Sequence, residues 1–193
     1  MTAAADGLRT APLTPERWDD LEELFGPRGA VGGCWCWYWR LPGSEWQARC
    51  GEGTRALLRE RVEAGPPPGL LAYRAGVPVG WCAVAPRSEL QRLQRSPRLR
   101  PVDDVPVWAV SCFYIHRRHR RQGVARALLQ AAVAHAGAAG APALEGYPLD
   151  DGDGQRISNG AAYTGTLSLF RAAGFQEVAR RDRRPIVRRP LRD

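Results

Sequence analysis

Lysine is absent from this 193-residue chain, and all 28 basic residues are arginine. The chain therefore cannot modify itself on a lysine side chain, and its positive charge rests on planar, permanently protonated guanidinium groups. Long apolar runs are missing as well. No stretch of about 18 apolar residues occurs, which excludes an ordinary membrane span. The leading residues, MTAAADGLRTAP, carry neither a basic start nor an apolar stretch. No secretory signal is expected, and the expected location is cytoplasmic. The five cysteines, at 34, 36, 50, 82 and 112, are an odd number without a signal, which argues against a disulfide framework. Cys34 and Cys36 form a C-x-C pair that Cys50, His116 and His119 could extend, but the paired C-x2-C spacing of structural zinc is missing. The cysteines read as reduced, and no metal is expected.

What remains is an ordinary globular composition: 44% hydrophobic, 25% charged, net charge +8. Its length suits one domain over residues 1–193. The arginine-, glycine- and proline-rich usage resembles that of a high-GC bacterial genome. The positive balance permits nucleic acid, an anionic cofactor or an acidic partner without choosing among them.

Thr14-Pro15-Glu16 is a helix start, followed by Trp18, Leu21, Leu24 and Phe25 at helical spacing and a stop at Gly26-Pro27. Alternation across residues 34–40 predicts a strand with Trp35, Trp37 and Trp39 on one face and Cys34, Cys36 and Tyr38 on the other. The tryptophans fit either core packing or an aromatic wall for a substrate. A helix is expected over 54–64, strands over 70–74 and 77–84, and a long arginine-rich surface loop with room for one helical turn over 86–105. Residues 107–115 read as a central strand, apolar on both faces. After it come a basic turn, a helix over 124–136, a strand over 143–147, a short helix over 166–173 and a closing hairpin over 175–189.

A strong strand feeding a glycine-containing turn that opens a helix is a recipe for an anion site. The first helical amides lack partners and sit at the positive end of the macrodipole. The turn is Arg120-Arg121-Gln122-Gly123-Val124-Ala125, with Arg117, Arg118 and Arg126 around it. A pyrophosphate is the natural guest. Neither the P-loop Gly-Lys-Ser/Thr nor G-x-G-x-x-G is present.

Residues 115–125, with the pattern Arg120-x-x-Gly123-x-Ala125, resemble motif A of the GNAT superfamily of acyl-CoA-dependent N-acyltransferases. Leu169-Phe170-Arg171-Ala172-Ala173-Gly174-Phe175 is similar to that family's Tyr-x-x-x-Gly-Phe ending. The match covers roughly residues 107–175. It implies an α/β fold: a twisted mixed sheet of about six to seven strands flanked by about four helices, with acceptor-side elements within 1–70. It also implies acetyl-CoA as co-substrate, with its pantetheine arm in a cleft where strands 107–115 and 143–148 splay apart. Phe113 and Ile115 would bond the arm through their backbone, and Arg120, Arg121, Gln122, Gly123, Val124, Ala125 and Arg126 would hold the diphosphate. The Phe113 amide would polarise the thioester carbonyl for direct attack by a neutral amine.

Three departures follow. Many members carry a tyrosine acid where this chain has Phe170, and some a glutamate base where it has Ala109. Tyr163 stands where asparagine is common. Glu145, the one acid in its strand, becomes the candidate base and Tyr163 the candidate acid or acceptor ligand. Trp35, Trp37 and Tyr147 are candidate substrate contacts, with Asp103, Asp104 and Asp150 secondary. The expected function is acetyl transfer to the primary amine of a small molecule, by a monomer or homodimer with no nucleic-acid or membrane partner. A peptide or protein N-acetyltransferase, or an acyl-CoA-binding sensor without turnover, are the alternatives.

Overall fold

The computed structural model describes residues 7–152, 157–158 and 160–191. Seven strands form one sheet: β1 (Leu8–Pro12), β2 (Gly69–Arg74), β3 (Val77–Pro86), β4 (Trp108–Ile115), β5 (Ala143–Gly146), β6 (Gln176–Arg181) and β7 (Arg184–Pro190). Their order is β1-β2-β3-β4-β5-β7-β6. Every neighbouring pair is antiparallel except β4 and β5, which run parallel. The described helices are α1 (Trp18–Phe25), α2 (Gly43–Arg49), α3 (Glu52–Ala64), α4 (Gln91–Gln94), α5 (Val124–Ala138) and α6 (Leu167–Ala172). This is the mixed α/β arrangement expected, with more helices than the four foreseen.

Strand alternation sends β2 and β3 side chains into two cores. Leu70, Ala72, Cys82 and Val84 pack beneath α5, against Val124, Leu128, Leu129, Ala132 and Ala136. Leu71, Trp81 and Ala83 face the other way, against α1 and α3. A third cluster, Leu90, Leu93, Leu99, Ala109, Tyr147 and Ile186, lies at the start of β4.

Two expectations are corrected here. Residues 34–40 form no strand. A bridge between Val31 and Cys34 closes a glycine turn, and the chain continues in tight turns with Cys36 at φ +55°. The sheet edge is taken by β1, unassigned from the sequence, so Trp35 and Trp37 fill the layer between α1 and the sheet while Trp39 packs against the third cluster. Trp35 stacks on Trp18 with ring centroids 6.1 Å apart. The 86–105 stretch carries the helical turn foreseen, as α4, but is not the loose surface loop expected. Leu90, Leu93 and Leu99 anchor it, and the buried Arg87 guanidinium donates to the carbonyl of Leu99 and to Gln94 Oε1.

The opening that matters lies between β4 and β5. They pair over only three positions, Trp108 with Leu144, Ala109 with Glu145 and Val110 with Gly146, after which β5 ends and β4 runs on to Ile115. Against β3, Ala83 faces Cys112 while Val84 faces Val110, so Ser111 is an extra residue that kinks the strand. Beyond β5 the chain turns away to the segment before α6. Leu149 donates to the Gly165 carbonyl (3.0 Å) and its own carbonyl accepts from Leu167 (2.8 Å). Phe170 packs against Gly146, where a Cβ would lie 2.1 Å from its ring.

Candidate active site

The splayed end of β4 meets the first turn of α5 in a cleft of about 430 Å³. Gly123 caps the helix at φ +78°, in the left-handed region that favours glycine, and a Cβ there would meet nothing within 4 Å. No side chain caps α5, so its leading amides face the cleft uncapped. Phe113, Ile115, Arg120, Arg121, Gly123, Val124, Ala125, Arg126 and Tyr163 all line this one space. Arg120 Nε also holds the Ile115 carbonyl at 3.1 Å, fastening the turn to the strand. Gln122 is the exception. Its amide donates to the Arg118 carbonyl (2.8 Å) and accepts from Arg74, bracing the turn from outside. Burial, then the charges of His119 and the neighbouring arginines, holds the His116 imidazole below the usual histidine range. The cradle of uncapped amides ringed by guanidinium groups suits a diphosphate.

A second cavity of about 370 Å³ opens from the same place. Val31, Phe113, Tyr114, Gly160 and Tyr163 line both spaces. The remaining wall is Cys34, Cys36, Tyr38, Trp39, Trp46 and Cys112 with Ala30. No carboxylate lines it among the described residues. Cys36 and Cys112 lie with sulfurs 3.6 Å apart, and the Trp81 indole donates to Cys36 at 3.1 Å. The Cys34 thiol is pushed far up by its hydrogen bond with Cys36 and by burial, and Cys36 by its bond with Cys112, so both stay neutral. Burial, with a smaller contribution from Tyr38, pushes the Tyr163 phenol up to about 12.

Six of the expected site residues lie outside the cleft and the apolar cavity. Trp35 and Trp37 belong to the core between α1 and the sheet, where the largest apolar surfaces gain most from burial. The opposite set, Cys34, Cys36 and Tyr38, faces the cavity instead. Glu145 is 1% exposed and consumed by an ion network. It accepts from Arg188 at 2.7 and 3.0 Å and from the Tyr147 hydroxyl at 2.8 Å, with Arg87 3.8 Å away. Its partner across the ladder is Ala109, upstream of the splay, so it does not reach the cleft. Tyr147 is buried in that same network, its hydroxyl accepting from Arg87 Nε at 3.1 Å. Asp103 pairs with Arg188 there, and Asp150 with Arg180. Tyr38, Trp46 and Tyr114 were missed. The alternation through 34–39 had set Cys34, Cys36 and Tyr38 apart from Trp35 and Trp37, but Trp39 lines the cavity beside the smaller set, so alternation alone did not mark the wall.

The sequence matches the model of the acetyltransferase (GNAT) family over residues 33–147. The chain belongs to the GNAT acetyltransferase family and is an acetyltransferase. A comparison with curated proteins returns no match. Among solved structures, yncA of Salmonella typhimurium, solved with its cofactor acetyl-CoA, superposes with a TM-score of 0.55 at 16% identity, covering 97% of this chain and 95% of that one. The PaiA N-acetyltransferase of Thermoplasma acidophilum, in complex with coenzyme A, gives 0.54 at 12% identity over 95% and 98%. A Corynebacterium glutamicum protein described as histone acetyltransferase HPA2 and related acetyltransferase gives 0.54 at 19% over 95% and 96%. These likenesses establish the shared fold. Among the described residues, no helix is long and apolar enough to cross a membrane, and no group of three or more His, Cys, Asp or Glu is placed to hold a metal ion.

Proposed function

We propose that this enzyme transfers the acetyl group of acetyl-CoA to a primary amine of a small molecule held in the apolar cavity. The observation that carries this reading is the shared wall: a cleft with an anion cradle at one end opens, at Phe113, Tyr114 and Tyr163, into a second space of small-molecule size. The amides opening α5, with Arg120, Arg121 and Arg126, would hold the diphosphate, and the unpaired edge of β4 would align the pantetheine arm. Acetyl-CoA supplies an activated thioester. The Phe113 amide acts as the hydrogen-bond donor for charge developing on its carbonyl oxygen.

The residues present divide the remaining work unevenly. With no carboxylate on the cavity wall among the described residues, and Glu145 locked to Arg188, the amine must arrive already neutral. Tyr163, with its proton held to about 12, positions the reacting groups as a hydrogen-bond donor. Full proton transfer from it to a thiolate of ordinary pKa, about 8.5, would be uphill by roughly 5 kcal/mol. The proton shed by the attacking nitrogen is the easier source for the departing thiolate.

Calorimetric titration with acetyl-CoA, followed by thiol release across a panel of primary amines, tests the reading. Saturable binding and amine-dependent release support it. Absence of acetyl-CoA binding overturns it.

A further inference from the structure

Beyond Trp39, which lines both spaces, the apolar cavity adjoins a larger recess of about 880 Å³. Its described charged lining comprises Arg98, Arg180, Arg183, Arg184, Asp150 and Asp182. Both acids are committed: Asp150 to Arg180, and Asp182 to Arg98 at 3.1 Å. Arg183 is exposed. Arg184 is different, being partly buried at the start of β7 with no acidic partner among the described residues. Its one described hydrogen bond runs to the hydroxyl of Thr164, a residue 1% exposed, at 2.9 Å. Thr164 follows Tyr163, which lines both the cleft and the apolar cavity, and precedes Gly165, where an added Cβ would lie 3.3 Å from the Phe113 ring. Burial pulls Arg184 below the usual arginine range, while Tyr163 acts in the opposite direction.

A partly desolvated guanidinium without a counter-ion is costly, and its fork of donors matches a carboxylate. The cavity wall between it and Phe113 is aromatic and uncharged: Tyr38, Trp39, Trp46 and Tyr163 with neutral thiols. A cationic tail is disfavoured here too, because Arg92 already covers a face of Tyr38, 3.9 Å from its centroid. We infer that the acceptor is an amine carrying a carboxylate on an aromatic or otherwise apolar body, and that Arg184 is the residue that selects it. The inference rests on the acetyl-transfer reading and adds the substrate class. The amine points to Phe113, the apolar body fills the cavity, and the carboxylate supplies the counter-ion that Arg184 lacks among the described residues.

Matched pairs test it: phenylalanine against phenethylamine, tryptophan against tryptamine, 4-aminobenzoate against aniline, each assayed by thiol release with saturating acetyl-CoA. N-acetylphenylalanine and N-acetylphenethylamine, titrated into the CoA-bound protein, give a readout that needs no turnover. The carboxylate member of at least one pair is expected to win by ten- to hundredfold in kcat/KM or in affinity, as for one charge-assisted contact. Arg184→Gln should collapse that ratio to within about threefold, and Arg184→Lys should recover part of it. Retained acetyl-CoA affinity certifies that each variant is folded. Equal or reversed preference in every pair, or a ratio untouched by Arg184→Gln, overturns the inference. Such a protein that still acetylates neutral amines leaves acetyl transfer standing, whereas one that does not bind acetyl-CoA fails at the earlier step.

Discussion

The two walls of the site are made by different means. On the side of α5, the cleft is built from backbone: a glycine in the left-handed region, uncapped amides and the open edge of β4. On the side of residues 30–46, the cavity is built from side chains that loop packing left over after the core had taken Trp35 and Trp37. A backbone device tolerates little change at one position and much at its neighbours. A side-chain wall behaves conversely, because each residue removed alters the cavity's shape without dismantling it. Donor recognition should therefore be brittle at single points, and acceptor recognition graded.

Gly123→Asp attacks the brittle side most directly. It forces a side chain into a φ of +78° and sets negative charge where a diphosphate must lie, so acetyl-CoA affinity should fall by about a hundredfold or more while far-UV circular dichroism is unchanged. Trp46→Ala probes the graded side. The amine KM should rise by roughly tenfold and acetyl-CoA affinity should hold, as separate titrations would show. Equal damage to both ligands by either variant would dissolve the distinction between the walls.

Glu145→Gln should act on neither wall. It leaves Arg188 and Arg87 short of a buried anion, at a cost of about 3 kcal/mol, or a drop of roughly 6–12 °C in Tm by thermal melting. The kcat of the folded fraction should stay at the wild-type value. A hundredfold loss of kcat at unchanged Tm would restore Glu145 as the base.

The pH profile offers a gentler test. Without a cavity carboxylate, kcat/KM should climb tenfold per pH unit up to the pKa of the acceptor amine and shift when an amine of different pKa is supplied. Tyr163, held near 12, should add no alkaline limb below about pH 11. The smallest effect concerns stability. The Arg188 guanidinium holds the Asp103 carboxyl below its ordinary value, and Arg180 does the same for Asp150 and Glu177. Groups lowered on folding stabilise the protein above their unfolded pKa and lose that contribution as pH falls through the folded one. Tm should thus be flat near neutrality and decline modestly below about pH 4.

What the sequence displayed follows the same division. Gly123 and its arginines were legible because a helix start after a strong strand has one local meaning. The strands β4 and β5, α5 and the closing hairpin were legible for similar reasons, through apolar runs and glycine stops, whereas the placing of β4 beside β5 came only with the family resemblance. The strand expected over 34–40 was not, because alternation alone cannot tell whether a sheet edge is vacant, and β1 had filled it. Glu145 misled for a related reason. Its partner Arg188 is 43 positions away, and only the β5–β7 ladder brings them together. Long-range pairing also hid Arg184 beside Thr164, 20 positions earlier.

The paired hydrogen bonds at Leu149 act as a wedge set behind β5. They keep the two parallel strands apart before any ligand arrives, so the donor's slot is preformed and does not have to be pried open. Less ordering then opposes association, and capture of the donor should proceed in a single kinetic phase, at a rate governed by docking and by attraction to the arginine rim, with no slower rearrangement behind it.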